Sequence, residues 1–307
     1  MPAPPLSPTP LPARPALPSE PGRAVLLMVL ATALFAGTTL LAKALGTGAL
    51  GPALHPLQVS FGRFLFAWIT ILAVAAVLRP SFGRPALGLH AARTLCGWGG
   101  ATLMFAAAAR MPLSDATALS FLSPVLTMLL AIPLLGERVG PWRWGAAAIA
   151  MIGAMILLRP GPGTFQVAGL LALGAALVMG VEAILIKRLT SREAPVPVLV
   201  INNGMGVAIA LLPALAVWAA PNAAQWAALA GIGVVMVGGQ AAFLLALRRA
   251  DASFAAPLFY LTLVFATVYD FAAFGVRPDA ISLIGAAVLV SGAVLLALRE
   301  GRQRRGG

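Results

Sequence analysis

Long apolar runs recur between residues 24 and 298, and short breaks rich in Pro, Gly and charged residues separate them. Each run is roughly 18–24 residues long, the length that an α-helix needs to cross about 30 Å of hydrocarbon. The pattern predicts an all-α protein with ten transmembrane helices, at 24–45, 57–78, 87–109, 113–135, 141–158, 167–189, 195–218, 225–247, 252–274 and 279–298. Breaks such as RMP and RPGPG contain turn-forming residues and are too short to fold as separate domains.

One long stretch of the chain occurs twice. Residues 99–159 recur without a gap in the second half of the chain, in a register that places Gly99 on Gly238 and Gly153 on Gly292. Self-similarity of this kind indicates a duplicated structural unit.

The duplication predicts two repeats, 23–159 and 160–300, with five helices in each. Because five is odd, the second repeat must enter the membrane upside down relative to the first. Inverted repeats are typical of secondary transporters, in which two related halves open a central site alternately to each side.

The composition supports an integral membrane protein. Sixty per cent of the residues are hydrophobic, 10% are charged and the mean hydropathy is +0.95, whereas soluble domains are about half apolar and a quarter charged. The net charge of +12 does not indicate nucleic acid as a partner, because the basic residues lie between the apolar runs rather than in one patch. Cys96 is the only cysteine, so the chain forms no internal disulfide.

Lys and Arg also predict the orientation. Fifteen of them flank the spans on the side that carries both termini, against four on the other side. The positive-inside rule therefore predicts that both termini are cytoplasmic, in a bacterial inner membrane. Residues 1–22 are Pro-rich and predict a disordered cytoplasmic tail, and residues 301–307 predict a second, basic tail.

Four charged residues lie well inside the predicted spans, away from the span ends: Arg63, Arg93, Glu182 and Asp270. Each costs roughly 2.5–3.5 kcal/mol to insert, so such residues face a partner or a wet cavity. A helical rise of about 1.5 Å per residue places Arg93 and Glu182 at one depth, and Arg63 and Asp270 toward the outer side. Two interpretations remain open. The pairs either lock the bundle, or an Arg holds a substrate carboxylate while Glu182 holds a substrate cation or a coupling proton.

Further polar, aromatic and proline residues lie at membrane depth. The candidates for lining a cavity are Thr38, Thr39, Trp98, Asn202, Gln240 and Tyr260, although packing and hydrogen bonding between helices explain the same residues. Pro124 and Pro257 are expected to open the backbone ladder of their helices. Glu137 and Arg138 are expected to form an ion pair at a helix end.

The sequence disfavours an intramembrane enzyme. Tyr269-Asp270 forms half of an aspartyl-protease signature, but the chain has no partner GxGD. No nucleophile–base pair, metal cluster or phosphate loop is evident in the sequence, and we expect neither a metal nor a cofactor.

Several segments resemble a known family. They are LFAGTTLLAKAL at 34–45, LHPLQVSFGRFLFA at 54–67, MPLSDATALSFLSP at 111–124 with the LLGERVGPWRWGAAAIAMIG that follows, and APLFYLTLVFA at 256–266. Through them, residues 24–300 resemble the drug/metabolite transporter superfamily of EamA type. The resemblance implies ten helices in two repeats and a central cavity lined by both. The second repeat departs from the pattern with Val276 in place of Glu137 and Asp270 in place of Ala131.

The LHPLQ, LHAAR and MPLSDATALSFLSP segments are most similar to the branch that contains bacterial S-adenosylmethionine uptake proteins. The expected function is therefore secondary transport of an amino-acid-like zwitterion or an S-adenosylmethionine-like molecule across the lipid bilayer, with a coupling proton or an exchanged metabolite. The alternatives are a channel-like facilitator and an exporter of amino acids or of vitamins such as riboflavin.

Overall fold

The computed structural model describes residues 20–108, 119–158, 167–275 and 279–303. These residues form eleven α-helices, and none of them lies in a β-strand. The helices are α1 Pro21–Gly46, α2 Pro56–Leu78, α3 Leu87–Ala108, α4 Ser123–Leu135, α5 Pro141–Leu158, α6 Val167–Thr190, α7 Pro195–Leu215, α8 Ala223–Arg249, α9 Ala252–Leu258, α10 Leu261–Phe274 and α11 Ala280–Gln303. The predicted disordered tail at 1–22 lies almost entirely outside the described residues.

The helices are built for a membrane. Within the described residues, six segments are long and apolar enough to cross one: α1, α2, α6, α7, α8 and the α9–α10 pair. Their outward faces carry large exposed side chains such as Leu26, Val77 and Leu212, while Ala residues fill much of the interior. A helix that is apolar on all sides fits lipid on the outside and protein on the inside. The prediction of an all-α integral membrane protein is confirmed.

The structure differs from the prediction in two spans. The predicted span 252–274 is two helices, α9 and α10, separated by a turn at Phe259 and Tyr260. In the predicted span 113–135, a turn at residues 121–122 precedes α4. Pro257 and Pro124 lie beside these breaks. Because proline has no backbone N–H to donate, it interrupts the hydrogen bonds of a helix.

The two repeats meet around a two-fold axis. Phe121 and Tyr260 occupy equivalent positions in the two repeats, and their rings stack at 5.7 Å between centroids. A residue that contacts its own equivalent lies beside the symmetry axis.

The crossing of α5 and α11 shows the same relation. A Cβ added at Gly153 would lie 2.5 Å from Leu289 N, and one added at Gly292 would lie 3.1 Å from Ala150 N. The register of the duplication exchanges Gly153 with Gly292 and Ala150 with Leu289, so the crossing looks alike from both repeats. Small residues allow this close approach of two helices in a membrane. The helix α1 begins beside Arg249, because Glu20 N donates to Arg249 O, and its equivalent α6 ends there, because Lys187 donates to Leu247 O and Ala250 O. Equivalent helices therefore run in opposite directions, and the repeats are inverted.

The bundle has two distinct ends. At the end that we call the first end, α1 and α9 begin and α8 finishes, and Glu20 N donates to Arg249 O. At the second end, α1 finishes and α2 and α8 begin. The helix α11 continues to Gln303, beyond the predicted limit of 298, so part of the predicted basic tail is helical. Glu20, the first described residue, lies at the first end.

Candidate functional site

Two cavities meet inside the bundle. The larger has a volume of about 730 Å³ and reaches the second end at Lys43, Gly46 and Pro56. The smaller has a volume of about 240 Å³ and extends toward the first end, to Leu247 and Ala252. Four residues line both cavities and form what we call the partition: Arg63, Met179, Glu182 and Gln240. The residues that separate the two ends are therefore largely polar.

The structure brings together Arg93 on α3 and Glu182 on α6, the pair that their depth in the membrane predicts. Arg93 Nε lies 3.9 Å from Glu182 Oε1. Gly97 lies one helical turn after Arg93, and a Cβ there would lie 3.0 Å from the same Oε1. Gly97 thus lets the carboxylate pack against α3.

The guanidinium of Arg93 is buried and incompletely paired. The side chain is 2% exposed, and its Nε and Nη1 have no hydrogen-bond acceptor among the described residues. A contact of 3.9 Å attracts opposite charges but is too long for a hydrogen bond. Unsatisfied buried donors are costly, so Arg93 favours an additional acceptor, and its side chain lines the smaller cavity.

Arg63 on α2 is half-buried and lines both cavities. Its guanidinium lies 4.1 Å from the centroid of the Phe64 ring. Within the part of the chain that the structure describes, no oxygen accepts a hydrogen bond from it. The side chain of Asp270, its predicted partner, lies outside the described residues, so the Arg63–Asp270 pair stays a prediction.

Hydrogen bonds between helices fix the amides near the partition. Thr94 Oγ1 donates to Asn202 Oδ1 at 3.1 Å, and Asn203 Nδ2 donates to Gln240 Oε1 at 3.1 Å. Asn202 lines the larger cavity and Gln240 lines both. The amides therefore hydrogen-bond between helices and also line the cavities. The sequence had left both of these roles open.

The two threonines of α1 line the larger cavity. Their hydroxyls donate to the same carbonyl, Phe35 O, at 2.7 Å from Thr38 and 3.1 Å from Thr39. Each hydroxyl oxygen keeps lone pairs that can accept a hydrogen bond from a ligand.

Three phenylalanine rings form an aromatic cluster on the wall of the smaller cavity. Phe35, Phe243 and Phe259 lie with their ring centroids 5.9–6.2 Å apart. Sequence reasoning did not find them, because an apolar side chain in an apolar chain carries no signal of its surroundings. The helix break at Phe259 was the one available hint.

Two predicted cavity residues lie elsewhere. Tyr260 is fully buried, stacks on Phe121 and donates its hydroxyl to the Phe121 carbonyl. Trp98 is half-buried on α3 and is not among the described residues that line either cavity. For Tyr260 the cause is the break beside it, which turns the side chain toward the symmetry axis.

Polar contacts join the two repeats at the first end. The Glu137 carboxylate accepts hydrogen bonds from Ala252 N at 2.9 Å and Ser253 N at 3.0 Å, at the start of α9. Arg143 donates to Ser253 Oγ at 2.7 Å and pairs with Asp251 at 3.0 Å. The Glu137 carboxylate thus caps a helix of the other repeat. The sequence had predicted instead an ion pair between Glu137 and Arg138, its neighbour in the chain.

Further polar contacts lie at this end. His90 Nε2 lies 2.9 Å from Glu193 Oε2, and Glu193 Oε1 accepts from Ala86 N. Lys187 donates to the carbonyls of Leu247 and Ala250. We call the contacts of Glu137, Arg143, Lys187 and Glu193 the latch. The latch lies between the smaller cavity and the first end.

Among the described residues, no group of three or more His, Cys, Asp or Glu could hold a metal ion. The chemistry that this arrangement offers is binding: guanidinium donors, one carboxylate, amide and hydroxyl groups, and aromatic rings. Of the two guanidinium groups that line the described cavities, that of Arg93 combines complete burial with unsatisfied donors.

Comparisons with known proteins agree with a membrane carrier. A riboflavin transporter of Rhizobium johnstonii is 32% identical over 71% of this chain and 76% of its own. A riboflavin transporter of Vibrio cholerae is 30% identical over 80% and 84%, and an S-adenosylmethionine uptake transporter of Rickettsia prowazekii is 26% identical over 82% and 86%. A solved crystal structure matches with a TM-score of 0.76 at 22% identity, over 90% of this chain and 98% of that one.

The EamA-like transporter family matches the chain twice, over residues 22–159 and again over 166–298. The two matches cover the two halves that the internal duplication and the α5–α11 crossing relate to each other. The chain belongs to the EamA-like transporter family.

Proposed function

We propose that this protein is a secondary transporter of a small organic metabolite in a bacterial inner membrane. One observation carries the proposal: buried, unsatisfied donors of Arg93 lie beside Glu182, where two cavities directed to opposite ends of the bundle meet. Inverted repeats allow such a site to face each end in turn.

The site fits an amino-acid-like headgroup. Arg93 would hold a carboxylate, since a guanidinium forms paired hydrogen bonds with carboxylate oxygens. Glu182, at 25% side-chain exposure, would hold the ammonium group or carry a coupling proton. S-adenosylmethionine carries a carboxylate and cationic groups, and riboflavin carries a flat ring that the cluster of Phe35, Phe243 and Phe259 could stack against. The carboxylate of S-adenosylmethionine and the flat ring of riboflavin thus each have a chemically suitable partner in the site.

The larger cavity would face the periplasm. The excess of Lys and Arg at the first end favours that end as cytoplasmic, with both termini there. The domain limits follow from the same topology: a tail at 1–22, repeats at 23–159 and 160–300, and a tail at 301–307.

Binding and transport by Glu182→Gln test the proposal. Purified protein is titrated with amino acids and S-adenosylmethionine, and ligand affinity is measured beside thermal stability. We expect folding to stay near normal and affinity to fall by roughly 1.5–3 kcal/mol, the range for a hydrogen bond to a charged group. Unchanged affinity with lowered stability would mean that Glu182 only locks the bundle. Arg138→Gln, an exposed loop change, is the matched control.

Counterflow in proteoliposomes separates a carrier from a channel-like facilitator. A carrier exchanges labelled substrate against an excess of unlabelled substrate inside the vesicle, so the label accumulates transiently. A channel does not produce this overshoot.

A further inference from the structure

We propose that the transported molecule carries two anionic groups and one cationic group, as a dicarboxylic amino acid does. The inference rests on the proposed function, because it takes the two cavities to be the substrate site. It goes beyond that function by assigning Arg63 to a second anionic group.

The charges that line the two cavities do not balance among the described residues. Among the described residues that line the smaller cavity, the ionisable side chains are Arg63, Arg93 and Glu182. The larger cavity adds Lys43, near its opening at the second end. Arginine stays protonated in proteins. Among the described side chains that line the smaller cavity, two guanidinium groups therefore face one carboxylate.

Glu182 cannot satisfy both guanidinium groups in the observed geometry. It approaches Arg93 Nε at 3.9 Å without a hydrogen bond, and two Arg93 donors stay unsatisfied. Arg63 lies over the face of Phe64, which attracts a cation but accepts no conventional hydrogen bond. A buried cation without a hydrogen-bonded partner is unfavourable, so both sites favour an incoming anion.

The two arginines occupy different positions around Glu182. Arg93 lies on α3 and faces the smaller cavity, whereas Arg63 lies on α2 and faces both. A single molecule with an ammonium group between two carboxylates would place one anion at each arginine and its cation at Glu182. Its net charge of minus one would neutralise the excess of one positive charge on Arg63, Arg93 and Glu182.

Lys43, at the mouth of the larger cavity, is a further cationic side chain beside the entry path. Positive charge in a cleft raises the local concentration of anions. A ligand with a net positive charge, such as S-adenosylmethionine, would add to the unbalanced charge and leave Arg63 without a partner. The charge balance of the cavity thus disfavours one of the two substrate classes that the relatives' names offer.

The test compares matched amino acids that differ only in the second anionic group. Purified protein in detergent is titrated with aspartate, glutamate and 2-aminoadipate, with asparagine and glutamine, and with S-adenosylmethionine. We expect at least one dicarboxylic amino acid to bind about tenfold or more tightly than its amide, as the loss of a charge-assisted hydrogen bond implies. The preferred compound should also show counterflow in proteoliposomes.

Variants assign the second carboxylate. Arg63→Gln should abolish the discrimination between acid and amide while leaving binding of the amide in place. Arg93→Gln should weaken both. Arg63→Lys keeps the charge and should retain part of the preference, which guards against a variant that fails to fold, and Arg138→Gln should leave the preference unchanged.

The outcomes separate the two proposals. If glutamine, asparagine or S-adenosylmethionine binds as tightly as the acids and is transported, the inference on charge is wrong and the proposed function stands. If Arg63→Gln folds and keeps the discrimination, Arg63 does not hold the second anion. If none of these compounds binds or undergoes counterflow, both the inference and the amino-acid-like substrate are overturned.

Discussion

Among the described residues, different kinds of contact hold the two ends of the bundle, although the repeats that build them are equivalent. At the first end, the latch uses charged side chains, among them Glu137, Arg143 and Glu193. At the second end, uncharged amide side chains bond the backbone of the other repeat: Gln58 contacts Ala219, and Asn222 contacts Leu50. The larger cavity reaches this second end.

The sequence shows why the latch has no copy. The register of the duplication places Val276 on Glu137, Ser282 on Arg143 and Pro112 on Asp251. A symmetric exchange of conformations would therefore close the second end without these charged contacts. We therefore expect the latch contacts of Glu137 and Arg143 to favour the state observed here over its symmetric counterpart.

Removing Glu137 should reduce this asymmetry most strongly. Glu137→Ala deletes two hydrogen bonds to a charged group, worth about 1.5–3 kcal/mol each, that exist only while the first end is closed. We expect a shift toward opening at the first end. The measurement is labelling of Ala255→Cys, which lines the smaller cavity, by an impermeant maleimide in a Cys96→Ala background.

The control for this labelling is Arg138→Ala, since Arg138 is exposed and follows Glu137 in the chain. Labelling that rises equally in both variants would show a general loosening of the loop. Labelling that does not rise in Glu137→Ala would mean that the latch leaves the conformational equilibrium unchanged.

The α5–α11 crossing differs from the latch because both repeats contribute to it alike. Substitutions there should lower stability whichever repeat carries them. Ala at Gly153 would meet the backbone of α11 at 2.5 Å, and Ala at Gly292 would meet that of α5 at 3.0 Å. Overpacking of this kind costs about 1–3 kcal/mol. We expect both variants to lower the unfolding temperature, Gly153→Ala more than Gly292→Ala. Equal melting of wild type and both variants would refute the close crossing.

Removing a hydrogen-bonding side chain at the second end should lower the stability of the protein without changing how readily the first end opens. Gln58 both donates to Ala219 O and accepts from Ala219 N, two neutral hydrogen bonds that contribute about 0.5–1.5 kcal/mol each. Gln58→Ala is expected to lower stability by about 1–3 kcal/mol and to leave maleimide labelling of Ala255→Cys as in the parent. Increased labelling would show that the two ends are coupled more tightly than their contacts imply.

Much of this architecture follows from the sequence, and the reason is physical. The apolar length of each span is set by the bilayer, and an ungapped internal match records duplication directly. Helical rise also estimates depth, which is why Arg93 and Glu182, 3.9 Å apart, could be matched in advance.

It is harder to predict from the sequence which way a side chain faces around its helix axis and which backbone groups it bonds. Tyr260 lies at membrane depth, but the break beside it directs the ring to Phe121 rather than to a cavity. Glu137 bonds the amides of Ala252 and Ser253, and a backbone N–H has no signature in the sequence of the other repeat. The sequence instead suggested Arg138 as the partner of Glu137, because the two are adjacent in the chain, but the fold leaves Arg138 exposed.

The smallest effect should come from the cap that begins α8 at the second end. Asn222 Oδ1 accepts from Gln225 N at 2.9 Å, and Gln225 Oε1 accepts from Asn222 N at 2.9 Å, so the two residues form a capping box. Asn222→Ala removes one half of the box and the bond to Leu50 O, and a lost N-cap costs about 0.5–2 kcal/mol. We expect a modest fall in melting temperature, with labelling at Ala255→Cys unchanged. Asn222→Asp should keep the cap, because its carboxylate still accepts from Gln225 N, but it should lose the bond to Leu50 O, since a carboxylate has no N–H. The labelling in Glu137→Ala can also be compared with that in Asn222→Ala. If Glu137→Ala raises labelling no more than Asn222→Ala does, the charged contacts at the first end hold the molecule no more firmly than the neutral contacts at the second end.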